Sequence, residues 1–469
     1  MDEKENSQHM DFEALQEKRS DELMELLDKR DMKQLQRRME EMNEFDVAEF
    51  LTQIEDNRMP MVFRLLSKET AADVFANFEA PEQERIINSI TDSELAGIIE
   101  ELYVDDAVDM MEEMPANVVK RIMRAATPGT RSLINQYLRY PENSAGSIMT
   151  SEFVDLKKYM NVRESIARIR RIGEDKETIY VCFVISADRK LEGIVTVKDL
   201  LLNDDDTIIE DLMDRNVIFA STTEDQESVS EKFSDYDLMA LPVVDTEGRL
   251  VGIVTVDDII DVMEQEATED FEIMAGILPS DKPYSRTGPA EMWKNRIPWL
   301  MFLMLSATFT SMILTSFEQM LAVQAGLVAF IPMLMGTGGN SGAQASTAVI
   351  RSLSIGDTEP KDALKVIWKE WRVALLCGLS LALVNFGKML LVDSWLLHNA
   401  NVTVLVAATV SLSIVFIVMF AKVVGAMLPL IAEKIGVDPA VMANPLISTV
   451  TDAVSLLIYI YMAKLILNI

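Results

Sequence analysis

The C-terminal third of this 469-residue chain contains apolar stretches that are too long for the core of a water-soluble domain. A helix needs roughly 20 apolar residues to cross the hydrocarbon core of a bilayer, which is about 30 Å thick. Five such segments lie at residues 297–317, 319–350, 373–392, 394–421 and 439–463. The sequence therefore predicts an α-helical transmembrane bundle of five helices in a membrane domain that covers residues 291–469.

The Lys and Arg residues beside these segments are distributed unevenly. Lys294 and Arg296 precede the first segment, basic residues fill the connection at 351–372, and Lys422 and Lys434 precede the fifth segment. Positive residues are enriched on the cytoplasmic side of membrane proteins. We therefore expect a multi-pass protein of the plasma (cell inner) membrane with a cytoplasmic N-terminal part. The polar first residues give no sign of a signal peptide.

Charge is divided along the chain as sharply as hydropathy. Residues before Gly288 hold 65 of the 75 acidic residues but only 32 of the 43 Lys and Arg residues. Such a negative surface excludes nucleic acid as a partner and attracts cations. The two histidines and two cysteines, Cys182 and Cys377, are too few for a disulfide framework or a thiolate and imidazole metal site. Any metal bound by this chain must therefore be held by oxygen ligands.

Asp452 is the one charged residue between Pro439 and Ala463, in the last apolar segment. An ionised side chain near the middle of a membrane costs several kcal/mol, so it must face a bundle interior, a partner or water. The structural alternative is a protonated carboxyl group or one paired with a neighbouring helix, for which Lys388 is the obvious basic partner. Because intramembrane carboxylates typically mark ion pathways, we favour Asp452 as a cation site.

A glycine-rich run at residues 336–342 interrupts the second apolar segment. We expect it to break the helix, so that the backbone carbonyls of Gly338, Gly339 and Asn340 face a cation or its water shell. The alternative is close helix packing through small residues, and Gly342 to Ser346 suits only that role.

Polar residues also precede Asp452 on the last segment. Asp438 stands before Pro439, where it either faces a cation or caps the start of a helix. Asn444 offers an amide oxygen about 12 Å along a helix from Asp452. These residues predict a series of polar side chains along one pore-lining helix.

An internal repeat occupies residues 141–262. Residues 193–200 recur as 252–259, and each copy follows an apolar strand (180–185 and 241–244) and a helix-like stretch (162–172 and 226–236). This α/β pattern resembles tandem CBS domains, with copies at about 141–203 and 204–262. The resemblance implies an adenosine nucleotide such as ATP held by Thr196 with Asp199 and by Thr255 with Asp258. The alternative is that each Thr and Asp caps the helix that follows.

Helix-like phrases recur every dozen or so residues between residues 45 and 140, which predicts an acidic, all-α superhelical domain. Residues 1–44 are predicted to form an N-terminal helix or a flexible arm. Asp105, Asp106 and Asp109 fall at one helix start, where negative charge is favourable in its own right. Residues 263–290 are predicted to be a connecting helix and linker. The acidic stretch at 257–275 reaches into it, and a bound divalent cation would relieve its repulsion.

The order of these parts resembles the MgtE family of magnesium channels, and the membrane motifs at residues 332–342, 438–445 and 451–452 carry the resemblance. It implies a homodimer in the lipid bilayer that encloses one pore, with Asp452 of each subunit binding hydrated Mg²⁺. Asn444 and the run from Gly336 to Asn340 would line the path near Asp452, and Asp438 would lie at the cytosolic mouth.

The resemblance also implies a gate that cytosolic Mg²⁺ closes. The ion would bridge carboxylates of the helical domain to those of the CBS pair and connecting helix. These regulatory residues are Asp73, Asp105, Asp109, Asp258, Asp261, Glu266, Glu269 and Asp270. The alternatives are a secondary transporter that exchanges Mg²⁺ for Na⁺ or H⁺ and a nucleotide-sensing receptor anchored by its helices. No nucleophile, base or cofactor motif indicates an enzyme.

Overall fold

A computed structural model describes residues 18–280, 284, 287–318, 325–398, 402–442 and 444–468. The chain forms two compact units, residues 1–262 and residues 263–469. Parts of five predicted segments, at 1–17, 281–283 with 285–286, 319–324, 399–401 and 443, lie outside the described residues.

The first unit begins with short helices. They are α1 (18–28), α2 (Met32–Glu40), α3 (Glu44–Gln53), α4 (Met59–Phe63), α5 (Lys68–Ala76), α6 (Ala80–Ser89), α7 (Asp92–Glu101), α8 (Val104–Glu113), α9 (Ala116–Ala125) and α10 (Pro128–Tyr137). Several starts are capped by a hydroxyl, as where Ser67 accepts a hydrogen bond from the Thr70 amide and where Thr91 and Glu94 form a capping box. The predicted short helices are confirmed, and their superhelical arrangement stays a prediction.

The start of the chain differs from the prediction of one long helix or a flexible arm. From residue 18 onward it forms two helices, α1 and α2, whose Leu23, Leu27, Leu35 and Met39 are at most 3% exposed in the apolar core of the first unit. Burial of these side chains is worth about 1.5–3 kcal/mol each, which holds both helices in place. The helical domain therefore starts well before residue 45.

Two copies of one α/β motif follow. The first copy contains β1 (Phe153–Leu156), α11 (Val162–Ile172), a 3-10 turn (Gly173–Asp175), β2 (Thr178–Ile185), β3 (Leu191–Thr196) and α12 (Val197–Leu202). The second contains α13 (Ile209–Leu212), β4 (Ala220–Ser221), α14 (Gln226–Tyr236), β5 (Ala240–Val244), β6 (Leu250–Thr255) and α15 (Val256–Met274). Each copy has a three-stranded sheet in chain order, with the first pair of strands parallel and the second antiparallel. The predicted repeat is confirmed.

The glycine of each repeat allows the two copies to cross closely. A Cβ on Gly193 would lie 2.9 Å from the Asp214 carbonyl oxygen, and one on Gly252 would lie 2.7 Å from the Thr150 carbonyl oxygen. Real side chains do not tolerate such contacts. Glycine at both positions therefore follows from the packing of one copy on the other.

The second unit contains five long helices in the part that the structure describes. They are α16 (Pro289–Ser316), α17 (Ile331–Ser354), α18 (Ala363–Lys388), α19 (Val404–Ile435) and α20 (Asn444–Leu467). Shorter turns are the 3-10 helices Ala325–Phe330, Pro360–Asp362 and Pro439–Met442 and the π-helix Met389–Leu396. Among the described residues, four helical stretches are long and apolar enough to cross a membrane. They are Pro289–Ser316, Pro360–Leu396, Val404–Ile435 and Pro439–Leu467. The glycine-rich α17 is not among them, although it packs against α19 and α20.

The fourth predicted segment differs in its limits. α19 begins at Val404, where the Thr403 side chain accepts a hydrogen bond from the Val406 amide, and it continues through Lys422 to Ile435. Lys422 lies inside the helix, where it is only 5% exposed. Its charge has a partner there, because Lys422 Nζ lies 3.8 Å from Glu370 Oε2 on α18. A charge with a partner is tolerated inside such a bundle.

Glycines bring α17 and α19 into backbone contact. A Cβ on Gly425 of α19 would lie 2.2 Å from the carbonyl oxygen of Gly342 on α17. Small residues allow this approach between helices in a membrane.

Gly425→Ala is expected to destabilise the second unit by about 1–3 kcal/mol, because the new methyl group must push two backbones apart. Thermal unfolding in detergent measures the effect. Gly387→Ala on α18 is the matched control, because nothing lies within 4 Å of its Cβ position. Alanine there should be neutral or stabilise the helix by up to about 1 kcal/mol. Equal melting temperatures for the two variants would contradict the contact.

Candidate cation sites

Asp452 lies on α20 near the contact of this helix with α17. The Asp452 side chain is partly buried, and it makes no hydrogen bond or ion pair within the described part of the chain. The neighbouring Thr451 hydroxyl donates to the Ile447 carbonyl oxygen at 2.8 Å, so Thr451 does not occupy the carboxylate. An isolated carboxylate in an apolar helix is free to bind a cation.

The structural alternative for Asp452 required Lys388 as its partner. Lys388 Nζ instead lies 2.9 Å from Asp393 Oδ2, and the same nitrogen lies 5.9 Å from the centroid of the Phe330 ring. Both contacts are on the chain itself and engage the ammonium group. Lys388 is therefore paired with Asp393 and is not the partner of Asp452.

The prediction that the glycine-rich run breaks its helix is wrong. α17 is a continuous helix from Ile331 to Ser354. In a bilayer the helix satisfies every backbone group internally, which outweighs the low helix propensity of glycine. The carbonyls of Gly338 and Gly339 are therefore not released toward an ion by unwinding of the helix.

These two glycines instead make room for the helix that carries Asp452. A Cβ on Gly338 would lie 2.6 Å from Ser455 Oγ, and one on Gly339 would lie 3.3 Å from Ser448 Oγ, both on α20. Asn340, the next residue, is exposed. Gly338 and Gly339 thus allow α17 to pack closely on the helix that carries Asp452. A cation contact by Gly338, Gly339 or Asn340 stays a prediction.

Asp438 precedes α20 and accepts a hydrogen bond from the Ala440 amide at 2.7 Å, as the predicted helix cap would. Burial and the carboxylates of Asp438 and Glu266 raise the pKa of Asp270, while Arg351 lowers it. The C-terminal part of α15 therefore brings Asp270 near Asp438 within the second unit. Asn444 is the first residue of α20, and its side chain lies outside the described part of the structure.

The first unit contains a second group of acids. Four carboxyl groups, which we call the carboxylate cluster, come from α8, the segment before β2, and α15: Asp105, Asp106, Glu177 and Asp258. Burial, followed by neighbouring carboxylates, raises the pKa of Asp106 to about 7, of Glu177 to about 8 and of Asp258 to about 6. The pKa of Asp105 is also raised, by burial and by Asp106 and Asp258, and its buried Oδ1 has no hydrogen-bond partner among the residues that the structure describes.

The remaining predicted regulatory residues surround this cluster or lie further along α15. Asp73 raises the pKa of Asp106, and burial and Asp261 raise the pKa of Asp109. Glu266 and Glu269 are partly buried on α15 in the second unit. The predicted residues therefore divide into two groups, one around Asp105 and one around Asp270.

In the described ranges, no three His, Cys, Asp or Glu side chains converge closely enough to hold a metal ion directly. A cation at the cluster would thus be held through its water shell or after a small movement of the side chains. Sequence reasoning noted Asp106 without assigning it a role and missed Glu177. Glu177 lies just after Glu174 and Asp175, nothing in the sequence distinguishes it from them, and only the tertiary fold brings it to Asp258.

The predicted nucleotide contacts are engaged with each other. Thr196 Oγ1 donates to Asp199 at 2.5 Å, and the two residues form a capping box at the start of α12. Thr255 Oγ1 donates to Asp258 at 2.6 Å. These are the geometries of the capping alternative, and a nucleotide contact at either pair stays a prediction.

The raised pKa values imply a stability that depends on pH. Because the cluster carboxyls hold protons that the unfolded chain releases near pH 4, the first unit should lose stability as pH rises from about 4 to about 8. Mg²⁺ should restore it. Hydrogen exchange of α8 amides in the full-length protein measures this, in EDTA and in Mg²⁺. The double variant Asp106→Asn/Glu177→Gln should show a flatter profile, and protection that increases with pH in EDTA would contradict the account.

Comparison with known proteins places these features in one family. The MgtE family model, described as a divalent cation transporter, matches residues 331–462. The model of the MgtE intracellular N domain matches residues 42–143, and the CBS model matches residues 145–205 and 209–265.

Two bacterial relatives and one solved structure extend the comparison. The magnesium transporter MgtE of Thermus thermophilus is 38% identical over 458 residues, which cover 97% of this chain and 100% of that protein. MgtE of Enterococcus faecalis is 32% identical over 71% of both chains. The crystal structure of the soluble part of a magnesium transporter is 30% identical with a TM-score of 0.52, and it covers 54% of this chain and 99% of that chain. This chain belongs to the MgtE family of divalent cation transporters and is not an enzyme.

Proposed function

We propose that the protein carries Mg²⁺ across the plasma (cell inner) membrane through a pore that contains Asp452. The proposal rests mainly on the Asp452 carboxylate. It is partly buried on a helix long enough to cross a membrane, and it has no partner among the described residues. Intramembrane carboxylates mark ion paths. Magnesium transport by relatives up to 38% identical supports Mg²⁺ as the cargo.

We further propose that α17 crosses the membrane together with the four longer apolar helices, which gives five spans. α17 contacts α19 and α20 along much of its length, and those helices are long and apolar enough to span. Glycine and serine residues lower its hydropathy but suit close helix contacts. Lys294, Arg296 and the basic connection at 351–372 favour a cytoplasmic first unit.

A homodimer would complete the ion site. Mg²⁺ keeps several waters and demands octahedral oxygen coordination, which one carboxylate does not provide. A second copy of the chain would supply a second Asp452. The most hydrophobic stretch of α16 is not buried at all within one chain, so apolar surface is available for lipid or for that copy.

We propose that cytosolic Mg²⁺ closes this pore. Without a cation, repulsion in the carboxylate cluster and between Asp270 and Asp438 disfavours the packed form. Mg²⁺ would bind between these acids and favour it, and such differential binding is sufficient to shift a conformational population. α15 would transmit the change, because it carries both Asp258 and Asp270.

Liposome flux distinguishes a passive channel from a coupled transporter. Purified protein is reconstituted, and Mg²⁺ entry is followed with an internal dye in the absence of Na⁺ and H⁺ gradients. A channel should continue to admit Mg²⁺ when the membrane potential favours entry. Uptake that requires an imposed Na⁺ or H⁺ gradient would support the secondary transporter instead.

A further inference from the structure

One side of α18 is exposed along most of its length. Arg372, Leu376, Leu379 and Leu383 are all exposed there, and their spacing of three or four residues places them on one side of the helix. α18 belongs to Pro360–Leu396, a stretch that is long and apolar enough to cross a membrane. The leucines of this side therefore suit lipid chains, and the basic and aromatic residues before them fall at the level of the lipid headgroups.

The buried side of α18 determines which residues face outward. Glu370 Oε2 lies 3.8 Å from Lys422 Nζ on α19, and both side chains are at most 14% exposed. Two turns later, a Cβ on Gly378 would lie 3.1 Å from Val415 Cα of α19. Arg372 follows Glu370 by two residues, which is about 200° around a helix, so it points away from α19.

The cations near the start of α18 are of two kinds. Lys361 and Lys365 each donate a hydrogen bond of 2.6 Å to a nearby carboxylate. Lys369 and Arg372 are exposed, and neither has a carboxylate within ion-pair distance in the part of the chain that the structure describes. The positive charges of Lys369 and Arg372 are therefore available to an anion outside the chain.

Two tryptophans lie beside the unpaired cations. The rings of Trp368 and Trp371 are stacked, with centroids 5.2 Å apart and planes 8° apart. The guanidinium carbon of Arg372 lies 5.8 Å from the centroid of the Trp368 ring, which is itself 57% exposed. Exposed indoles at the end of an apolar helix are typical of the membrane–water interface. A guanidinium held over such a ring loses less side-chain entropy when it binds an oxyanion.

We propose that Lys369 and Arg372, with Trp368 beside them, bind the headgroup of an anionic phospholipid. Ammonium and guanidinium groups bind phosphate oxygens by charge-assisted hydrogen bonds. Basic residues next to a membrane span are attracted to anionic lipids. The chains of the same lipid would lie along the exposed Leu376 and Leu379. A free phosphate would make only the contacts with the cations, so the continuous basic and apolar side of α18 fits a lipid better.

A second copy of the chain fits this side of α18 less well. In a two-fold symmetric contact the same surface meets itself, so the unpaired Lys369 and Arg372 of both copies would lie close together. Such a meeting of like charges disfavours association. The lipid inference rests on the proposal that α18 crosses the bilayer, and it does not depend on the proposed pore or gate.

Native mass spectrometry of the full-length protein, released from an uncharged detergent, tests the inference. The probes are phosphatidylglycerol, phosphatidylcholine and glycerol 3-phosphate, and the variant is Lys369→Gln/Arg372→Gln. Lys361→Gln/Lys365→Gln is the matched control, because it removes the same charge from nearby cations that already have partners. The wild type and the control should bind phosphatidylglycerol at least about tenfold more tightly than phosphatidylcholine, and the variant should lose this preference.

Hydrogen exchange of the wild type gives a test that needs no variant. Phosphatidylglycerol should slow amide exchange at residues 361–372 more than phosphatidylcholine does, and equal exchange with both lipids would overturn the proposal. An equal loss of preference in both double variants would also overturn it, because total charge would then be recognised. Glycerol 3-phosphate that binds as tightly as phosphatidylglycerol would overturn it as well, because the ligand would then be a free phosphate.

Discussion

Asp452→Asn is expected to reduce Mg²⁺ flux by at least about tenfold. The substitution removes a charge-assisted contact that contributes about 1.5–3 kcal/mol, and a loss of that size corresponds to a tenfold or larger reduction. The amide keeps the size of the side chain and removes only its charge. Mg²⁺ uptake into liposomes and Mg²⁺-dependent growth of a transport-deficient host both measure the effect. In a homodimer each pore would lose two charges, so the measured loss should exceed the tenfold bound.

Asp357→Asn provides the matched control for this substitution. This substitution makes the same chemical change at an exposed position, because Asp357 lies in the connection between α17 and α18, outside the helices. Its variant should transport Mg²⁺ like the wild type. If Asp452→Asn retained full flux, Asp452 would be a structural carboxyl group, and the proposed pore would have to lie elsewhere.

Asp105→Asn/Asp258→Asn is expected to abolish most of the response of the protein to cytosolic Mg²⁺. Burial, followed by neighbouring carboxylates, raises the pKa of both residues. In the wild type, Mg²⁺ should strongly protect α8 and α15 from hydrogen exchange, because it offsets the repulsion between these buried carboxylates. Neutral amides need no counter-ion. The variant should therefore be more protected than the wild type in EDTA, and its gain in protection on adding Mg²⁺ should be about tenfold smaller.

Asp21→Asn/Asp235→Asn removes the same charge from exposed positions of the first unit. This control should respond to Mg²⁺ as the wild type does. An equal loss of response in both double variants would mean that total charge, rather than the carboxylate cluster, governs the conformation. A cluster variant that responds like the wild type would contradict the proposed gate.

The repeat was predictable because local signals and packing agree there. The helices at 162–172 and 226–236 were predicted to the residue, and side chains of Asn161 and Asp225 cap them. Gly193 and Gly252 recur because both copies need the same close contact. Where chain-local chemistry and tertiary contact require the same residues, sequence alone is sufficient.

The candidate sites were less predictable where the apolar surroundings determine whether a helix is continuous, or where the tertiary fold determines which residues meet. The glycine-rich run indicated a broken helix by propensity measured in water, whereas an apolar surrounding keeps α17 intact and uses the glycines for contact with α20. Glu177 reaches Asp258 only through folding of the whole first unit. Leu23 and Leu27 were missed because a charge-rich surrounding conceals their helical spacing.

Patch-clamp recording of the full-length protein, with Mg²⁺ titrated on the side of the first unit, tests the central claim most directly. The account predicts a Mg²⁺ current that falls as cytosolic Mg²⁺ rises, that disappears in Asp452→Asn, and that no longer depends on cytosolic Mg²⁺ in Asp105→Asn/Asp258→Asn. A wild-type current of the same size at every cytosolic Mg²⁺ concentration would contradict the gate, and an undiminished current in Asp452→Asn would contradict the pore.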